Sequence, residues 1–318
     1  MDDKNAQKRY ILTVTLNPAV DTIFILRCEG GVSRIKKQVR SAGGKGINVS
    51  RAVNDFGMST LSTGIIGGVN GHAICQLADH AKINNQFYPA VCESRNNIML
   101  FIPVGKSRER VFPKTPAISR KEYEGFQRLY KKLLDKAEMV VLSGSVLKGV
   151  PTDVYAELIK IARRLNVPVF LDAGQGALRE GLKENPDFIK PNRRETEELF
   201  RIKIGTLNDA YKAVLRLRKF KVENIFLSLG PDGAIGCNRN DLWYAKAPTV
   251  KVVNSVGCGD AFVGAVCVGF MKKLNFRECL RLAVAAGTVN AQTIIPGRIN
   301  KAQVSKMSDR IIIKHFCI

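Results

Sequence analysis

Apolar runs alternate with helix-patterned runs along nearly the whole chain, and this alternation constrains the fold more than any other feature. "YILTVTL", "LSTGIIGG", "AEMVVLSGS", "VPVFLDA" and "NIFLSLG" are mostly apolar and show no regular polar face. Strands of that kind are buried on both sides. Between them, "TDVYAELIKIARRL" and "LNDAYKAVLRLRKF" carry apolar residues at helical spacing. In "INVSRAVNDFG", Val49, Ala52, Val53 and Phe56 share one helical face, and Gly57 suits the C-terminal cap. Buried strands linked by helices predict an α/β fold with a mostly parallel central sheet covered on both faces. The chain is expected to end in two helices, Asp260 to Lys273 and Phe276 to Thr293, and a short tail.

Two stretches break the alternation. "TIFILRCEGGVSRIKKQVRS" and "NNIMLFIPVGKSRERVFP" read as hairpins with turns at Gly30-Gly31 and Gly105-Lys106. They predict a small sheet set apart from the main one, over residues 22–41 and 97–113. Either a flap over a site or an extension of the sheet edge fits them; insertions on α/β scaffolds often carry function.

Composition narrows the class further. With 318 residues, 45% of them hydrophobic, the chain can bury a large core as one α/β domain or two small ones. The longest apolar run, near Ala261 to Met271, is too short to span a bilayer. The opening "MDDKNAQKRY" has no apolar signal core, so a frayed tail on a cytoplasmic protein is expected. The eight cysteines form no CxxC and, with the three histidines, no zinc pattern; reduced thiols are expected. A formal charge of +22 favours phosphate-bearing partners. The basic residues are scattered, and no aromatic-basic motif accompanies them, which counts against nucleic acid.

"NSVGCGDAFVGAVCVGF" sets glycines and an acid at the mouth of an apolar helix. Helix N-termini present unpaired N–H groups, and glycine lets them approach a phosphate closely. Gly257, Cys258 and Gly259 could hold phosphoryl oxygens there. Asp260, kept ionised by the helix dipole, could accept a proton from an attacking hydroxyl. An N-cap aspartate after a glycine turn fits the same residues. The pattern is neither a P-loop nor a dinucleotide fingerprint.

"TLNPAVD" follows the first strand and carries Asp21, near where open α/β sheets bind ligands. In "SAGGKGINVSRA", Gly43 and Gly44 turn the chain, Lys45 offers a charge and Asn48 lies one helical turn on. This set suits a polyol bearing an anion, and it equally suits a glycine turn with a solvated lysine. In "KPNRRETEELF", Asn192 and Glu195 stand three apart at a helix start. They fit Mg²⁺ held partly through water, and they fit a capping box. "SLGPDGAIG" reads as a hairpin turn whose glycines would admit a nucleotide phosphate.

Together and in this order, "TLNPAVD", "AGGKGINVSRA", "SGS", "KPNRRE", "SLGPDGA" and "NSVGCGDAFVGA" resemble the ribokinase-like carbohydrate kinases of the PfkB family over nearly the whole chain. "TLNPAVD" resembles the branch acting on phosphorylated ketohexoses, namely 1-phosphofructokinases, tagatose-6-phosphate kinases and minor 6-phosphofructokinases. The resemblance implies one ribokinase-like three-layer domain over 1–318 with a β-lid, ATP and Mg²⁺ as cofactors, and a homodimer formed through the lid. It implies Asp260 as base and Gly257, Cys258 and Gly259 as anion hole. It implies sugar-phosphate contacts from Asp21, Gly43, Gly44, Lys45, Asn48, Arg95, Arg110 and Ser145. It assigns Asn192 and Glu195 to Mg²⁺ and ATP, Ser228, Gly230 and Gly233 to the nucleotide phosphates, and Asn290 to the adenine pocket.

Two residues depart from the family pattern. Cys258 stands where alanine is usual, which suggests sensitivity to thiol reagents, and Val146-Leu147 replaces Leu-Pro. The implied reaction converts fructose 1-phosphate to fructose 1,6-bisphosphate. Tagatose 6-phosphate, fructose 6-phosphate and an unphosphorylated sugar or nucleoside are alternative acceptors. A catalytically silent nucleic-acid-binding regulator is the alternative from another class.

Overall fold

The computed structural model describes residues 9–29, 32–101 and 108–316. The turns expected at Gly30-Gly31 and Gly105-Lys106 lie outside the described residues. The first half of the chain contains β1 (Tyr10–Thr15), β2 (Ala19–Glu29), β3 (Val32–Gly43), α1 (Lys45–Asp55), β4 (Thr60–Gly67), α2 (Gly68–His80), β5 (Tyr88–Ala90), β6 (Arg95–Phe101), β7 (Arg108–Val111), α3 (Arg120–Leu134) and β8 (Ala137–Ser143). The second half continues with α4 (Val154–Arg164), β9 (Val169–Asp172), α5 (Gln175–Leu182), β10 (Phe188–Ile189), α6 (Arg193–Phe200), α7 (Leu207–Arg218), β11 (Asn224–Ser228), β12 (Ala234–Cys237), β13 (Leu242–Lys246), α8 (Cys258–Met271), α9 (Phe276–Asn290), α10 (Lys301–Ser308) and β14 (Ile312–His315).

The main sheet has ten strands in the order β14-β13-β12-β11-β10-β9-β8-β1-β4-β5. From β5 to β11 every pairing is parallel, and β12, β13 and β14 add antiparallel strands at one edge. Side chains alternate along each strand and feed two cores. Leu12, Val14, Val140 and Leu142 pack with Phe126, Tyr130, Tyr155 and Leu158 on one face. Ile11, Met139 and Val141 pack with Val49, Val53, Val263 and Val266 on the other. Two separate helical layers thus explain why these strands read as apolar throughout.

β1 lies between β4 and β8, so the chain leaves it toward one edge and later returns to build the other. Such a reversal opens a crevice at the carboxyl ends of the strands, where α/β proteins bind ligands. A second sheet, ordered β3-β2-β6-β7, stands apart from the first. Its strands begin nearer the body than expected, at Ala19 and Arg95, and so carry the ends of both hairpins into that crevice.

The chain end differs from expectation. Instead of a short tail, Asn300 caps α10 and β14 pairs antiparallel with β13, opposing His315 to Trp243 and Ile313 to Ala245. β14 has only four residues, and its stability comes from a partner nearly seventy positions away, which no local pattern reports. α8 also starts earlier than expected. Gly257 is its N-cap with φ of 85°, so Cys258 and Gly259 already belong to the first turn.

Candidate active site

A cavity of about 820 Å³ opens at the carboxyl edge of the main sheet and reaches the second sheet. At its floor lies the α8 N-terminus. A Cβ on Gly257 would fall 2.4 Å from the Gly297 nitrogen and 2.6 Å from the Pro296 Cα, so only glycine fits. Asp260 is the third helical residue, not the N-cap, which removes the capping alternative. Its Oδ2 accepts from Asn48 Nδ2 at 2.8 Å.

The helix end is not the largest influence on Asp260. Burial, reinforced by the Asp172 charge, pushes it up to about 6 against the pull of Lys45, Asn48 and Lys190. Lost hydration and the neighbouring carboxylate outweigh the helix end in setting this value. A carboxylate of that kind is mostly ionised at neutral pH and close to the range that suits a general base.

A buried ion cluster stands behind it. Asp172 ends β9, and its Oδ1 lies 3.1 Å from Lys190 Nζ and 3.4 Å from Lys45 Nζ. Ser143 donates to its other oxygen at 3.1 Å. Burial would raise the Asp172 pKa, but Lys190 and Lys45 outweigh burial and bring it below the usual carboxylate range. Burial would likewise weaken the Lys45 charge, yet Asp172, Glu195 and Asp260 hold it firmly protonated. Lys190 Nζ lies 3.3 Å from where a Gly259 Cβ would be, so this ammonium adjoins the α8 amides.

The opposite wall comes from the second sheet and the segment after β1. Asp21 is buried; desolvation raises its pKa, while Asn97 donates to its Oδ1 at 2.8 Å. Gly43 crosses directly over that carboxylate, where any side chain would collide with it. Arg95 donates through Nη2 to the Asn17 carbonyl at 2.8 Å. Arg95 Nε and Asn97 Oδ1 are buried without a protein partner. Arg110, more exposed, donates to Ser255 Oγ at 3.4 Å. Asn17 donates to Ser145 Oγ at 3.5 Å.

Toward the antiparallel edge, Asn192 and Glu195 form a reciprocal capping box at the start of α6, with N···O distances of 2.8 and 2.9 Å. Only Glu195 Oε1 is left outside the box, 3.7 Å from Lys45 Nζ. Among the described residues no three acidic, cysteine or histidine side chains cluster to hold a metal. One carboxylate oxygen not used by the box fits Mg²⁺, which keeps waters and substrate phosphates as its other ligands. Ser228, Gly230 and Gly233 line the cavity where β11 turns into β12.

Most of the residues singled out from the sequence meet in this cavity, with three exceptions. Gly43 and Glu195 are not among its lining residues. Asn290 points elsewhere: its amide donates to the carbonyls of Ile295 and Arg298 and so ties down the loop after α9. The α9 residues that line the cavity are Val284, Gly287 and Thr288. Cys258 also departs from expectation. Burial and the Asp260 charge push its thiol up to about 12, which leaves little thiolate for thiol reagents. Asn17, Asn97, Asp172 and Lys190 were missed. The last two end the apolar runs "VFLD" and "FIK", and a charge closing a buried parallel strand was the available signal.

An acid and two lysines thus stand around glycine-lined helix amides at the carboxyl edge of a parallel sheet. Residues 12–299 match the pfkB family carbohydrate kinases. Escherichia coli phosphofructokinase-2, solved in complex with fructose-6-phosphate, superposes with a TM-score of 0.85 at 25% identity, over 95% of this chain and 99% of that one. A Thermotoga maritima structure described as "Possible 1-phosphofructokinase" gives 0.87 at 26%, over 97% and 100%. Arabidopsis thaliana ribokinase, complexed with ribose and ATP, gives 0.73 at 20%, over 94% and 99%, and shares the fold. The chain belongs to the pfkB family of carbohydrate kinases and is an enzyme, a sugar or sugar-phosphate kinase of that type. Among the described residues no helix is long and apolar enough to cross a membrane.

Proposed function

We propose that this enzyme transfers the γ-phosphoryl group of ATP to a phosphorylated ketohexose, with fructose 1-phosphate as acceptor and fructose 1,6-bisphosphate as product. The observation that carries this reading is the make-up of one cavity. A carboxylate with a pKa of about 6 stands at a glycine-lined helix N-terminus, and Arg95 and Arg110 face the same space from the second sheet. A neutral sugar needs hydroxyl partners but no paired arginines, whereas guanidinium groups suit a phosphate.

In the proposed mechanism Asp21, Asn97, Asn48 and the Gly44 turn hold the sugar hydroxyls, and Arg95, Arg110 and Lys45 hold its phosphate. Asp260 takes the proton of the acceptor hydroxyl as that oxygen bonds to the γ-phosphorus and the bond to the ADP oxygen breaks. The amides of Gly257, Cys258 and Gly259, with Lys190 beside them, stabilise the charge spread over the transferred group. Mg²⁺, held by Glu195 with phosphate and water ligands, would neutralise charge on the nucleotide.

A second reading, fructose 6-phosphate as acceptor, is favoured by the solved fructose-6-phosphate complex of the E. coli relative. An ADP-release assay across fructose 1-phosphate, fructose 6-phosphate and tagatose 6-phosphate, with free fructose and ribose as controls, decides. The highest kcat/KM on fructose 1-phosphate is expected; a preference for either free sugar overturns the phosphorylated-substrate reading.

A further inference from the structure

Arg51 is an unusual residue to find where it is. It lies on α1 one turn beyond Asn48 and is only 2% exposed, although no ligand-binding role brings it inside. Its guanidinium makes three short donations to three separate parts of the chain. Nη1 donates to Asn48 Oδ1 at 2.8 Å and to the Pro296 carbonyl at 2.6 Å, and Nη2 donates to the Ala42 carbonyl at 2.6 Å. Burying a guanidinium is costly, so a core tolerates it only where its donors are well matched.

The geometry bears on the base. An asparagine amide has a donor end and an acceptor end, and a guanidinium can only donate. With Arg51 occupying Asn48 Oδ1, the Asn48 NH₂ group must face Asp260 Oδ2. The other two donations hold what surrounds that contact. Ala42 lies in β3 immediately before the Gly43-Gly44 turn, and Pro296 belongs to the loop that packs beneath Gly257. In the same loop, Gly297 presses against the Asn48 carbonyl, where a Cβ would sit 2.4 Å from the oxygen.

We propose that Arg51 is a positioning residue for phosphoryl transfer: it fixes which end of the Asn48 amide meets Asp260, and it clamps β3 and the loop under the anion hole around that contact. The inference rests on the reading of Asp260 as the base. The charged groups facing Arg51 are Asp21 from β2, Asp55 from α1, Arg298 from the loop before α10 and Asp260 from α8. Those facing Asp260 are Asp172 from β9, Lys45 and Arg51 from α1 and Lys190 after β10. Removing Arg51 therefore withdraws one cation from beside Asp260 and frees the Asn48 amide to turn its oxygen toward the carboxylate. Both changes disfavour the ionised base.

The test reads Asp260 directly. In the full-length protein with ¹³C-labelled aspartate, its carboxyl titration is followed by NMR, with Asp260→Asn identifying the signal. Arg51→Met is expected to raise the Asp260 pKa by about one unit. It should also move the acid limb of kcat/KM upward by the same amount and lower kcat roughly 10- to 100-fold, with the KM for ATP little changed. In an Asn48→Ala background Arg51→Met should add much less. Arg51→Gln, neutral and closer in shape, carries the same expectation should the methionine variant fail to fold. A purely structural role would lower the unfolding midpoint and leave the titration where it was, and that result overturns the proposal. An equal shift with and without Asn48 also overturns it. Because the NMR titration needs no substrate, an upward shift in a protein that phosphorylates none of the sugars sinks the functional reading and leaves the Arg51–Asn48–Asp260 linkage standing.

Discussion

At the scale of single residues, Asp260 shows how environment outweighs local position. The helix end at which it stands favours its charge, but burial and Asp172 oppose that and leave its pKa at about 6. Replacing it by asparagine keeps the shape and the contact with Asn48 but removes the proton acceptor. Asp260→Asn is expected to lower kcat by about 10²- to 10⁴-fold while ATP still binds, as measured by steady-state kinetics and nucleotide titration. The same variant should gain stability. Between about pH 4 and pH 6 the native protein keeps this proton while the unfolded chain has released it, so the group's contribution to stability falls as pH rises through that window. Urea unfolding should therefore show Asp260→Asn more stable than the parent at pH 7, by on the order of 2 kcal/mol, with the gap closing near pH 4. A variant less stable than the parent at pH 7 would show that the carboxylate is not under strain.

At the scale of elements, the α8 N-terminus and the α6 cap can each be tested by one substitution. Gly257→Ala forces an L-residue into φ of 85° and drives its Cβ into Pro296 and Gly297. The unfavourable backbone and the overpacking together predict a loss of about 2–4 kcal/mol in chemical denaturation. Gly230→Ala is the comparison, because φ is 65° there but nothing lies within 4 Å of the new methyl. Only the backbone contribution of about 1–2 kcal/mol is expected. The two roles open to Glu195 also separate. Glutamine still closes a capping box with Asn192 but carries no charge. Glu195→Gln should leave the unfolding midpoint unchanged and raise the Mg²⁺ concentration needed for half-maximal rate roughly 10-fold. Unchanged Mg²⁺ dependence would rule out the metal role.

At the scale of the whole molecule, the second sheet is the part least explained by the chain alone. β3 is exposed along most of its length, and Val32, Ile35, Val111 and Phe112 are each more than half exposed on this sheet or just beyond it. The homodimer that the family resemblance implies would cover part of this sheet while leaving its active-site end in place. Analytical ultracentrifugation should then give twice the chain's mass, and Ile35→Asp should shift the population to the monomer. A monomeric parent protein at micromolar concentration would rule this association out.

The architecture was legible because its signals are local. A strand apolar on both sides must lie between two layers, and five such runs separated by helical ones leave little besides a parallel sheet. The glycines at 44 and 257 were legible for a similar reason, since a position that demands positive φ selects its own residue. Asp260 and Glu195 could be located from their neighbours in the chain, but their chemistry could not be read there. What tertiary structure alone decided is electrostatic and non-local. Asp172, Lys190 and Lys45 meet from three separate elements, Asn97 reaches Asp21 from another strand, and Arg51 joins Ala42, Asn48 and Pro296. A propensity depends on a residue and its nearest neighbours. The free energy of a charge depends on how much water it has lost and which other charges folding has brought beside it, and folding brings those charges from anywhere in the chain.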